Sequence, residues 1–408
     1  MSSNISNPGQ KPDGGSPQPK AAPENRPKFW NDPQKRSLLF QVLLLAVLGM
    51  FFYSIVTTTL TNLERLGVTT GFDFLFQEAG FGISQTLIEY TEESTYGMTF
   101  VIGLLNTVLV AVMGIIAATI LGFTMGVARL SDNWLISKIA ATYIEIFRNI
   151  PLLLQIFFWY FAVLRTLPHP RQSMEFLGSF LNNRGLIIPS PVAEDGFGIV
   201  FAAFIVACIG SWFLARWAHK RQDSTGQQFP IFWASVGLIV GLPLLMFLFA
   251  GMPMSLDHPE LKGFNFRGGL TIIPELIALW LALTIYTASF IAETVRAGIL
   301  AVSHGQTEAA SALGLSKGKT LRFVTIPQAM RVIIPPLTSQ YLNLTKNSSL
   351  ATAIGYPDLV NVFAGTTLNQ TGQAIEVIAM TMALYLTLSL VTSLFMNWYN
   401  ARMQLTER

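Results

Sequence analysis

Eight apolar runs, each close to the length of a bilayer-crossing helix, leave this chain few folds other than a membrane bundle. A helix needs about 20 apolar residues to cross about 30 Å of hydrocarbon. Runs at 38–60, 99–128, 140–164, 199–217, 229–251, 270–292, 332–354 and 374–399 meet or approach that length. The run at 332–354 is the weakest, because Pro335, Pro336, Lys346 and Asn347 interrupt it. Only 12% of the 408 residues are charged, about half the roughly 25% of soluble domains. The expected fold is therefore all-α: a polytopic transmembrane helical bundle of eight spans.

Loop charge sets the expected orientation, since Lys and Arg concentrate on the cytoplasmic side. Lys35 and Arg36 precede the first run. The next loop carries Glu64, Asp73, Glu78, Glu89, Glu92 and Glu93 against Arg65 alone, as an outer loop should. Arg129 and Lys138, the cluster Arg216, His219, Lys220 and Arg221, and the group Lys317, Lys319, Arg322 and Arg331 all fall on the inner side in the same scheme. Both termini are then expected in the cytoplasm. The first run is too long for a signal-peptide core and is followed by no small-residue cleavage pattern, so it reads as a retained anchor.

The ionisable residues do not describe an enzyme. Cys208 is the one cysteine, and His169, His219, His258 and His304 are scattered, without metal-ligand spacing. No nucleophile, base and orienting group come together in the sequence. Gly318-Lys319-Thr320 resembles the end of a phosphate-binding loop, but Leu313 stands where its first glycine is required and no strand precedes it. No metal, cofactor or nucleic-acid partner is expected, and any ATP hydrolysis belongs to another subunit.

The most informative stretch is 303–327, S-H-G-Q-T-E-A-A-S-A-L-G-L-S-K-G-K-T-L-R-F-V-T-I-P. Ser303 can cap a helix, with Gln306 three residues on to complete a capping box. Glu308 to Leu313 are mostly good helix formers, and Gly314 can take the left-handed conformation that stops a helix. Ser316 can cap a second short helix, and Pro327 limits its continuation. The result is a helix-turn-helix with small residues on one face and Lys317, Lys319 and Arg322 near its tip. Gly305, Ala309 and Ala310 let a partner surface approach closely, and Leu313 supplies a knob for a groove.

Glu308-Ala309-Ala310, three residues, Gly314, nine residues, then Val324, Ile326 and Pro327 resembles the signature of ABC importer permeases. Val324 and Ile326 depart from its usual Ile and Leu and keep an apolar branched side chain. The stretch from Tyr143 to Gln155, the stretch from Ala288 to Ile299, and Pro335-Pro336-Leu337 followed by Lys346-Asn347-Ser348-Ser349-Leu350 are similar to elements of the polar amino-acid branch of that family. The enlarged plan resembles the Q-type permease subunit of general L-amino-acid importers.

That resemblance implies a multi-pass permease of the bacterial inner membrane. The stretch from Gly305 through Glu308, Ala309, Ala310, Leu313, Gly314 and Lys317 to Pro327 would dock ATP-binding-cassette ATPase subunits. A sister permease, a periplasmic amino-acid-binding protein and membrane lipid complete the implied partners. Composition and apolar runs, with the resemblance assigning core and added spans, divide the chain into a disordered tail at 1–37, a first span with its outer loop at 38–98, core spans at 99–165, an inserted region with two spans at 166–268, core spans at 269–400 enclosing the docking loop 303–327, and a tail at 401–408. Ionisable and polar groups inside spans are expensive and mark pathways. Lys346, Asn347, Ser348 and Asn106 are accordingly candidates for the substrate route. Glu145, Arg148, Glu293 and Arg296, near span ends, are expected to pair among themselves. The alternative function is an ion-gradient-driven secondary amino-acid carrier, which would call for broken spans in two repeated halves. One broken, charged span is visible, and no matching half.

Overall fold

The structure is a computed structural model that describes residues 33–65 and 70–403. The expected tail at 1–37 lies outside the described residues up to residue 32, and that at 401–408 from residue 404 onward. The chain divides into two units. The first is the single helix α1 (Pro33–Arg65), whose apolar side chains, Leu43, Met50 and Phe52 among them, stand exposed on all sides. A helix apolar all round takes lipid as its solvent.

The second unit opens with a 3-10 turn at Asp73–Phe76 and then α2 (Tyr96–Ala128). The Thr95 hydroxyl accepts the Met98 N–H and so caps α2. Ile102, Asn106, Val110, Gly114, Ala118, Gly122 and Gly126 recur every four residues along it and form a buried ridge that ends in small residues. Small ridges let helices approach closely within a membrane.

Helix α3 (Trp134–Asn149) is capped by Asn133, whose side chain accepts the N–H groups of Leu135 and Ile136. Ile150-Pro151 then breaks the chain before α4 (Leu152–Phe157), which runs into a π-helical stretch at Phe158–Leu164. The two halves meet at 105°, so the expected third span is a sharply bent pair. Gln155 makes the break tolerable. Its Nε2 donates to the carbonyls of Phe147 and Ile150 at 3.0 and 2.9 Å, satisfying groups that Pro151 leaves without a helical donor.

The inserted region has α-helix only in its middle. Four short strands precede its helices: β1 (Met174–Phe176), β2 (Ser179–Asn182), β3 (Gly185–Ile188) and β4 (Ser190–Ala193). The helical hairpin of α5 (Phe197–Thr225) and α6 (Ile231–Phe249) follows, and then β5 (Met254–Asp257), β6 (Glu260–Lys262), β7 (Asn265–Arg267) and β8 (Leu270–Ile272). The sheet order is β1-β2-β3-β8, with β4-β5 and β6-β7 as separate pairs, all antiparallel. Leu186 pairs with Ile272 and Ser190 with Asp257, so the two ends of the insertion are zipped into one stem. A closed stem lets a long insertion leave and rejoin the core at one place.

The remaining helices are α7 (Pro274–Leu300), α8 (His304–Ala312), α9 (Lys317–Thr320), α10 (Ile326–Asn347), the short α11 (Leu368–Thr371) and α12 (Ala374–Met403). Leu279, Leu283, Ile291 and Val295 of α7 pack with Val110 of α2, Ile156 of α4 and Ile333 and Leu344 of α10 into the main core. Pro327 does not limit the second helix as expected. A π-helical stretch at Leu321–Thr325 joins α9 to α10, and Pro327 sits in the first turn of α10. The first turn needs no donor from proline, and a widened turn before it leaves room for the ring.

Among the described residues six helices are long and apolar enough to cross a membrane, or seven if the bent pair counts as one span. The expected run at 332–354 is the exception. Helix α10 and the 3-10 stretch Ser348–Ile354 occupy it, but its polar residues keep it out of that count.

Candidate functional site

The helix-turn-helix forms where its residues place it. Ser303 is the cap residue of α8, although its side chain makes no capping hydrogen bond; Gln306 N–H donates to the Ser303 carbonyl instead. Helix α8 stops at Gly314, which adopts φ +78°. Gly314 N–H donates to the Ser311 carbonyl at 2.9 Å and Leu315 N–H to the Ala310 carbonyl at 3.1 Å. This paired closure of a helix C-terminus requires a left-handed residue, for which glycine lacks the steric penalty.

The corner is exposed. Leu313 is 82% accessible at its tip. Gly305, Glu308, Ala309 and Gly314 are also exposed, whereas Ala310 is buried and fastens α8 to the rest of the chain. Glu308 Oε1 lies 3.0 Å from His304 Nδ1. Lys317 Nζ donates to Asp132 Oδ2 at 2.6 Å, linking α9 to the loop between α2 and α3. The Lys317 ammonium holds the Asp132 carboxyl below the usual carboxylate range, and Asp132 holds the ammonium above its own. Between α8, α9 and that loop lies an open cleft of about 960 Å³, lined among others by Asp132, Ile136, Glu308 and Lys317. The sequence offered no sign of Asp132 as a partner, because the contact spans 185 residues.

Behind the cleft, charges tie three helices together. Arg129 donates to Glu293 at 2.7 Å and lies 3.5 Å from Glu145. Arg296 donates to Glu293 at 2.6 Å, and the Arg148 guanidinium sits 5.2 Å from the Phe290 ring centre. Of the expected pairing among these four residues, Glu293–Arg296 forms; Glu145 meets Arg129 instead, and Arg148 stacks on Phe290.

The four candidates for the route do not converge. Asn347 lines a cavity of about 250 Å³ with Gln340, Asn343, Tyr286, Thr287 and Phe290. Lys346 is exposed in the last turn of α10. Ser348 is buried, and its hydroxyl donates to the Thr345 carbonyl. Asn106 is fully buried and holds backbone together: its Nδ2 donates to the carbonyls of Gln85 and Pro357, both at 2.9 Å. Leu359 N–H donates to Thr107 Oγ1, and a Cβ on Gly103 would lie 2.8 Å from the Leu359 Cα. These contacts press the segment after α10 onto α2.

Comparison with known proteins fits this arrangement. The family model for the binding-protein-dependent transport system inner membrane component matches residues 207–405. The general L-amino acid transport system permease protein AapQ of Rhizobium johnstonii is 53% identical over 378 residues, spanning 92% of this chain and 94% of that protein. The putative amino-acid ABC transporter permease protein YhdX of Escherichia coli is 57% identical over 382 residues, spanning 92% and 96%. The glutamate/glutamine/aspartate/asparagine transport system permease protein BztB of Rhodobacter capsulatus is 42% identical over 410 residues, spanning 92% and 96%. None of these relatives favours the ion-gradient-driven carrier. The chain belongs to the binding-protein-dependent ABC transporter permeases, multi-pass inner-membrane subunits whose ATP is hydrolysed by a separate subunit.

Proposed function

We propose that this permease imports L-amino acids, and that the corner of α8 and α9 is where its ATPase docks. The observation that carries the docking reading is Leu313, an apolar side chain 82% exposed at the tip of a rigidly closed helix corner. Exposed α8 residues Gly305, Glu308 and Ala309 leave room for a groove to close around it. Lys317 and Pro327 belong to the same unit, the first by fixing α9 to Asp132 and the second by starting α10, which carries movement of the corner into the core.

Helix α7 supports the rest of the assembly. Its 27 residues rise about 40 Å, enough to cross a bilayer. Strand β8 leads into one end and α8 leaves the other. On this reading the corner of α8 and α9 faces the cytoplasm, and the strand-built stem faces the periplasm, where an amino-acid-binding protein delivers substrate. A sister permease completes the pathway. Asn347, with Gln340 and Asn343, offers amide groups to a passing zwitterion. Lys346, Ser348 and Asn106 act at the margin of that route, Asn106 through the backbone it holds.

The test is ATP-driven uptake of radiolabelled L-amino acids into proteoliposomes holding the full complex. Leu313→Asp should abolish uptake and release the ATPase while the permease stays folded, because so exposed a side chain contributes little to the fold. Full uptake with Leu313→Asp would refute the docking role.

A further inference from the structure

We propose that the C-terminal end of α5 is a binding site for acidic phospholipid headgroups, and that the inserted hairpin anchors the permease through it. The hairpin packs only lightly on anything but itself. Helix α5 turns its small residues Ala203, Ala207 and Ser211 inward and α6 buries no residue at all, so both present apolar surface outward. Lipid is the solvent such a surface requires.

The two helices differ in length. Helix α5 has 29 residues and α6 has 19. The Trp217 ring meets the Phe229 ring at 5.6 Å, edge to face, which sets the level at which α6 begins. Residues 218–225 of α5 continue beyond that level, by about 12 Å of helix. That overhang spans the headgroup layer, which adds roughly 5–7 Å to each side of the hydrocarbon.

Cations occupy the overhang and the turn before it. Arg216, His219, Lys220 and Arg221 are all exposed, with Asp223 the one acidic side chain among them. The Arg216 guanidinium lies 3.8 Å from the Trp212 ring centre, and that of Arg221 lies 5.3 Å from Trp217. Each arginine is thus stacked on an interfacial tryptophan one turn nearer the membrane. Two stacked guanidiniums beside a lysine suit a phosphodiester: the forks donate bidentately, and the tryptophans hold them at headgroup depth. Phosphate oxygens fixed at a membrane surface come with lipid, so the committed ligand is an acidic phospholipid.

The experiment is native mass spectrometry of the purified transporter in detergent, titrated with phosphatidylglycerol or phosphatidylcholine, with inorganic phosphate as competitor. The wild type should retain phosphatidylglycerol at least about tenfold more strongly than phosphatidylcholine. The combined variant Arg216→Gln, Lys220→Gln and Arg221→Gln should lose that preference. Arg216→Lys with Arg221→Lys should keep part of it, since the charge remains but the stacked forks are lost, which separates charge from misfolding. Equal retention of both lipids, undiminished preference in the triple glutamine variant, or displacement by millimolar inorganic phosphate would each overturn the proposal. So would protection of the thiol of Lys220→Cys by a co-purified protein rather than by lipid.

Discussion

Arg129, in the turn that ends α2, donates to Glu293 of α7 at 2.7 Å across 164 residues of sequence. Glu293 also accepts from Arg296, and both Arg129 and Glu293 are about three-quarters shielded from solvent. The pair locks the end of α2 to α7 just before α7 reaches the corner of α8 and α9.

Removing one partner leaves a half-buried charge uncompensated. Glu293→Gln should destabilise the permease by about 1–3 kcal/mol. Arg129→Gln should do the same, and the double variant should cost less than the sum of the two, since contacting residues couple. Thermal unfolding in detergent, followed through a complete double-mutant cycle, measures this directly. Additive effects would mean that the two side chains do not interact.

Close approach of α2 and α7 depends on glycine at two positions. A Cβ on Gly122 would lie 2.6 Å from the Ile291 Cβ, and one on Gly126 would lie 2.7 Å from the Ala292 carbonyl oxygen. Gly122→Ala and Gly126→Ala should each cost about 1–3 kcal/mol through overpacking. Gly237→Ala and Gly241→Ala in α6, where nothing lies within 4 Å, should not destabilise and should each add about 0.5–1 kcal/mol of helix stability. Differential scanning of the four variants in one detergent separates the cases.

Asp358 gives the fold a pH dependence of definite sign. The residue is fully buried between α10 and α12, its Oδ1 accepting the Asn361 N–H at 2.8 Å and its Oδ2 the Tyr385 hydroxyl at 3.3 Å. Burial pushes its carboxyl up to about 7. The folded state therefore holds this proton more tightly than the unfolded chain, whose carboxyl titrates near 4. Stability from this group is greatest at low pH and is lost as pH rises towards 7. The melting temperature should fall between about pH 4 and pH 7 and level off above that, and Asp358→Asn should flatten the slope. An unchanged slope in Asp358→Asn would assign the pH dependence to another group.

Gly314 closes the corner of α8 and α9 at φ +78°. Gly314→Ala should cost about 1 kcal/mol locally. Its larger effect should be on coupling, because the corner that carries Leu313 loosens. ATPase activity should persist while uptake per ATP falls, and simultaneous assay of both in proteoliposomes checks it.

Local signals proved readable and distant ones did not. Gly314 announces a helix stop by its type alone, and Pro151 announces a break. The 105° bend at that break depends on Gln155 reaching back to Phe147 and Ile150, which no pattern encodes. The strands of the insertion are three or four residues long and mostly exposed on both faces, so they carry no period-two signal. Asn106 was a sensible candidate for the route because buried amides in spans are costly. Its two carbonyl partners, one of them 251 residues away, exist only after folding. Lys317 was legible as a charge at a helix tip, but its partner Asp132 was not.

The central claim is that this chain is the membrane half of an ATP-driven importer. Mild-detergent purification of the tagged chain from its native membrane, with mass spectrometry of what accompanies it, tests that most directly. A stoichiometric ATPase and a sister permease, with ATPase cross-links at Lys317 or Lys319, is the predicted result. Recovery of the chain alone or as a homo-oligomer, with no ATPase captured by cross-linking, would contradict it.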